Sequence, residues 1–62
     1  MPYVNIRIAG TLSYDQKKQI AAEVTGTLER VVLKPKSSIY ISFDELPREN
    51  WAVGGKLLGK KE

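Results

Sequence analysis

Sixty-two residues, with 10 Lys+Arg against 7 Asp+Glu and neither Cys nor His, define one small domain spanning 1–62, without disulfides and without imidazole or thiolate ligands for a transition metal. A domain of this size buries only about 60% of its unfolded surface, which leaves oligomerisation as the natural remedy for a marginal core. The net charge of +3 specifies no nucleic-acid partner. No apolar run approaches the ~20 residues of a membrane span and no charged leader precedes an apolar stretch, so a cytoplasmic, membrane-free protein is expected.

Pro2 stands directly ahead of an alternating segment. Val4, Ile6 and Ile8 share one face and Tyr3, Asn5 and Arg7 the other, the period-two pattern of a strand. A small second residue favours removal of Met1, which would leave a secondary amine fixed at the strand start. Such an amine acts as a base or nucleophile near neutral pH where its surroundings disfavour the ammonium form. After a short connection at Ala9–Leu12, Ser13 precedes Gln16 by a capping-box spacing, with Asp15 in the first turn. Ile20, Val24, Leu28 and Val31/Val32 then form one helical stripe with Ala21 beside it, while Lys17, Lys18, Glu23, Glu29 and Arg30 lie mostly off it. Gly26 interrupts this helix either for close backbone approach or as a tolerated glycine. Lys34-Pro35 is expected to end it.

Ile39–Asp44 repeats the strand alternation, with Ile39, Ile41 and Phe43 on the core face and Tyr40 opposite. Glu45–Asn50, containing Pro47, reads as a loop or single tight turn. Gly54-Gly55, between Trp51-Ala52-Val53 and Lys56-Leu57-Leu58, signals a two-residue hairpin. Gly59–Glu62 reads as a frayed, solvated end. The predicted fold is α+β: a βαβ unit with two parallel strands plus a C-terminal hairpin. Its exposed strand edges invite pairing with further copies, so a dimer joined through its sheets, and a larger closed ring of dimers, is expected.

Pro2-Tyr3-Val4-Asn5-Ile6, Ser13-Tyr14-Asp15-Gln16-Lys17-Lys18 and Asn50-Trp51-Ala52-Val53-Gly54-Gly55-Lys56, in this order and spacing, resemble the 4-oxalocrotonate tautomerase family over nearly the whole chain. The resemblance implies a homohexamer, a trimer of dimers, that needs no cofactor or metal. It also implies an amino-terminal proline that shuttles a proton between carbon and oxygen of an enol or dienol acid. Pro2 matches that proline, and Trp51 matches an aromatic residue that walls the pocket and keeps it dry. Two family arginines that hold a dicarboxylate are absent: Thr11 and Leu12 occupy one region and Tyr40 the other. Tyrosine offers one hydroxyl and no charge where arginine offers a charged fork.

The candidate site therefore consists of Pro2 as general base, with Tyr40, Trp51, Ser38 and Arg48 as substrate-binding residues. Ser38 enters by analogy through its backbone. Arg7 and Lys36 are further cations, weaker candidates than Arg48, which lies in the loop before Trp51. Asp44 and Glu45 point to opposite faces of a strand and form no acid–base pair. The leading expectation is a keto–enol tautomerase acting on a small 2-hydroxy-dienoate or 2-keto acid. Hydration of haloacrylic acids ranks lower, because no water-activating acid accompanies a set of arginines. A non-catalytic assembly protein that kept the scaffold is the alternative. A basic nucleic-acid binder ranks last, because the basic residues do not cluster with aromatics.

Overall fold

A computed structural model describes residues 1–59. Strand β1 (Tyr3–Ala9), helix α1 (Tyr14–Val32) and strand β2 (Tyr40–Leu46) are followed by a short hairpin, β3 (Ala52–Val53) and β4 (Lys56–Leu57). β1 and β2 pair in parallel from Tyr3↔Tyr40 to Ala9↔Leu46. The βαβ unit and the antiparallel hairpin are those expected. Gly54 and Gly55 both adopt positive φ (61° and 86°), the backbone a primed two-residue turn demands. No helix among the described residues is long and apolar enough to cross a membrane.

The helix starts at its capping box: Gln16 N–H donates to Ser13 Oγ at 3.1 Å and Ser13 N–H donates to Gln16 Oε1 at 2.9 Å. Its end differs from expectation. The last helical residue is Val32, and the chain reverses at Leu33, a non-glycine residue in the left-handed region (φ 63°, ψ 42°) whose N–H donates to Glu29 O at 3.1 Å. Pro35 excludes helix only at Lys34; the left-handed turn stops it one residue earlier. No atom approaches a Cβ built at Gly26, so this protomer itself imposes no close backbone contact there.

β2 also runs further than expected, from Tyr40 to Leu46, whereas Ile39 closes a 3-10 turn (Lys36–Ser38) by donating to Lys36 O at 3.1 Å. The segment expected as loop contributes Glu45 and Leu46 to the strand, then a 3-10 turn at Arg48–Asn50 behind Pro47. Residues 60–62 of the end expected to fray lie outside the described residues.

One layer of helix on two strands gives a slab of 46 × 24 × 13 Å with a Cα radius of gyration of 14.8 Å. A compact chain of this length would have roughly 10–11 Å. No side chain among the described residues is fully buried. Ile20, Val24 and Leu28 are half-buried against the sheet, but the stripe fails beyond them: Val31, Val32 and Leu33 are exposed, Leu33 by 81%. The expected stripe overshoots because its last turn projects past the sheet.

Candidate active site

Parallel pairing gives the sheet two different ends. Pro2 lies at the amino end, where its carbonyl accepts the Tyr40 N–H at 3.0 Å. Ser38 and Ile39 adjoin the same end, both half-buried. The Ser38 hydroxyl donates to Pro35 O at 2.9 Å and its N–H to the same oxygen at 3.0 Å, so its side chain is engaged within its own turn. Tyr40 is 54% exposed. Pro2, Ser38 and Tyr40 thus lie at one end of the sheet.

Arg48 and Trp51 are not. They follow the carboxyl end of β2, which at about 3.3 Å per residue over Tyr40–Leu46 is roughly 20 Å from the Pro2 end. A single protomer therefore does not bring all five candidate residues together. Trp51 N–H donates to Arg48 O at 3.0 Å and Leu58 N–H to Trp51 O at 2.9 Å, tying the turn to the hairpin. The indole Nε1 is buried by its own chain without an acceptor among the described residues, an unsatisfied donor that ordinarily costs about 1–3 kcal/mol.

On the open face of the sheet the side chains interlock. Tyr3 Oη and Ser42 Oγ share a hydrogen bond of 2.7 Å, Asn5 Nδ2 donates to Ser42 Oγ at 2.8 Å and to Asp44 Oδ2 at 3.3 Å, and Arg7 Nε donates to Asp44 Oδ2 at 3.2 Å. Arg7 is thereby matched to a carboxylate of its own sheet. Lys36 Nζ reaches Glu29 Oε1 only at 4.0 Å.

The carboxyl end carries a clamp that sequence reading overlooked. Glu45 Oε2 accepts the Leu12 N–H at 2.8 Å and lies 3.0 Å from Lys17 Nζ, while Gly10 N–H donates to Leu46 O at 2.8 Å. The backbone hydrogen bond from Leu12, then Lys17, holds the Glu45 carboxyl below its ordinary range, against a smaller opposing effect of desolvation. The available signal was alternation: Glu45 falls on the face of Ile41 and Phe43, where a carboxylate needs partners. Asp44 and Glu45 do occupy opposite faces. Leu12 also lines an open groove of about 250 Å³ with Gln16, Gln19, Ile20 and Glu23 on the helix flank, away from Pro2. Among the described residues no three Asp, Glu, His or Cys side chains are placed to hold a metal ion.

The tautomerase enzyme family matches residues 2–61, from Pro2 almost to the end. The chain belongs to that family. A probable tautomerase of Bacillus cereus is 33% identical over 61 residues, covering 98% of this chain and all of the relative. A 4-oxalocrotonate tautomerase isozyme structure from Methylibium petroleiphilum is 28% identical, covers 87% of each chain and superposes with a TM-score of 0.81. A heterohexameric 4-oxalocrotonate tautomerase from Chloroflexus aurantiacus shares the fold over 100% of both chains at a TM-score of 0.90 and 21% identity. This tautomerase thus joins the 4-oxalocrotonate tautomerase group of the superfamily. It presents Pro2 at the start of β1 and uncharged side chains around that end.

Proposed function

We propose that this tautomerase interconverts the enol and keto forms of a small 2-hydroxy-dienoate or 2-keto acid, with the amine of Pro2 as general base after Met1 is removed. The observation that carries this reading is Pro2 itself, anchored at the strand start through its carbonyl to Tyr40 N–H in a chain of the tautomerase family. While Met1 remains attached, the Pro2 nitrogen is a tertiary amide without a basic lone pair. Once freed, the neutral amine removes the enol O–H proton, the electron pair closes the C=O bond, and the resulting ammonium returns the proton to carbon. The reverse direction takes the same steps backward. An ordinary α-amino group titrates near about 8, so activity rises with pH until the amine is neutral.

The reading includes assembly. An exposed left-handed Leu33, exposed Val53 and Leu57 on the hairpin (65% and 54%), and open edges on β1 and β2 favour burial against further copies. A pocket containing both Pro2 and the Arg48–Trp51 turn needs at least two chains, because the two lie beyond opposite ends of β2, a strand roughly 20 Å long. We propose a homohexamer built as a trimer of dimers. Substrate then lies between Pro2, Ser38 and Tyr40 of one protomer and Arg48 and Trp51 of another, where an aromatic wall excludes water and favours the neutral amine.

The test joins intact mass to an ultraviolet assay with 2-hydroxymuconate and phenylenolpyruvate. Protein lacking Met1 turns over at least one of them. A protein with verified free Pro2 that assembles yet turns over neither is an assembly scaffold, and the enzymatic reading fails.

A further inference from the structure

Resting on that reading of Pro2 as the base, we infer that the substrate carries a single carboxylate on an otherwise uncharged, flat acid, and that Arg48, in the turn that ends at Trp51, is the carboxylate's partner. Cations are unevenly available to a ligand. At the Pro2 end, Ser38, Ile39 and Tyr40 are all uncharged. Lys36, the nearest cation along the chain, extends toward Glu29 at 4.0 Å. Arg7 is matched by Asp44 at 3.2 Å and Lys17 by Glu45 at 3.0 Å.

Arg48 differs from these. It is exposed and forms no ion pair among the described residues, as is also true of Lys18, Arg30, Lys34 and Lys56, but it alone of these lies in the turn that leads into Trp51. Its carbonyl accepts the Trp51 N–H at 3.0 Å, so the two residues belong to one turn and are carried together to wherever that turn is seated. Lys56 shares the hairpin but pairs in register with Val53 at the Gly54-Gly55 tip, two residues or roughly 7 Å beyond Trp51.

A site assembled from these parts offers one planar, bidentate cation and two aromatic rings, Tyr40 and Trp51. One carboxylate is met by the Arg48 fork. A second, at the other end of the ligand, would leave water to face Ser38, Ile39 and Tyr40, none of which carries a charge, which is costly. An apolar or aryl end gains from the same surroundings by stacking.

The experiment compares phenylenolpyruvate, a monoacid, with 2-hydroxymuconate, a diacid, on full-length protein verified to begin at Pro2. We expect kcat/KM at least about tenfold higher for the monoacid, and a KM for it raised about tenfold or more by Arg48→Gln. Lys36→Gln and Lys56→Gln should stay within about twofold. Equal or better turnover of the diacid overturns the inference and leaves Pro2 as base intact. An unchanged KM in an assembled Arg48→Gln protein removes Arg48 from the assignment. Failure to turn over either acid sinks the underlying reading as well.

Discussion

Leu33→Gly separates the isolated protomer from the assembled protein by the sign of its effect. Leu33 holds φ 63° at the helix end while its side chain is 81% exposed. A left-handed conformation costs a non-glycine residue about 1–2 kcal/mol, and glycine relieves it, less about 0.4–1 kcal/mol for the freer unfolded chain. In a lone protomer, with almost no burial to lose, the variant would be unchanged or more stable by up to about 1.6 kcal/mol. If another copy covers this helix end, the lost leucine burial of about 2–3 kcal/mol dominates. We predict the second outcome: a net loss of about 2 kcal/mol per protomer, with weaker assembly. Denaturant unfolding at several protein concentrations, with sedimentation, reads both quantities. A Leu33→Gly protein as stable and as associated as the parent at every concentration would refute the covered helix end.

Other expectations concern the clamp, the turn and its ring. The lowered Glu45 carboxyl contributes stability that is present above its unfolded pKa and fades as pH falls through the folded value. Glu45→Gln should therefore be less stable than the parent at neutral pH, and the gap should close only as pH falls below the ordinary carboxyl range; a gap independent of pH would contradict the clamp. Gly59→Ala would put a Cβ 2.5 Å from Glu49 N and 2.8 Å from Arg48 C, both backbone atoms, so the Arg48–Asn50 turn must shift at a cost of about 1–3 kcal/mol. A neutral Gly59→Ala in thermal unfolding would show that this approach is absent in solution. Trp51→Phe removes the unsatisfied indole donor along with some ring contact, and stability should change by less than about 1 kcal/mol. A larger loss would reveal an acceptor supplied by the assembly.

What could be read from the residues was local. Alternation at Val4, Ile6 and Ile8, the Ser13–Gln16 capping box and the Gly54-Gly55 turn each declare themselves within a few residues, and β1, α1 and the hairpin formed where those signals lay. Leu33 carries no such mark, since left-handed helix ends usually announce themselves with glycine. The extension of β2 to Leu46 depends on Leu12 and Lys17, which satisfy the inward Glu45 from a distant part of the chain. Pro2, Ser38 and Tyr40 were legible together because strand register joins them. The roughly 20 Å between them and the Arg48–Trp51 turn was not, because sequence spacing does not encode which residues meet across subunits.

Two preparations that differ only in Met1, each verified by intact mass, address the amine directly. With phenylenolpyruvate and 2-hydroxymuconate as probes, the form beginning at Pro2 should exceed the acylated form by at least about 100-fold in kcat/KM, as expected when a general base is abolished. Equal turnover by the two would mean that the proton travels by another group.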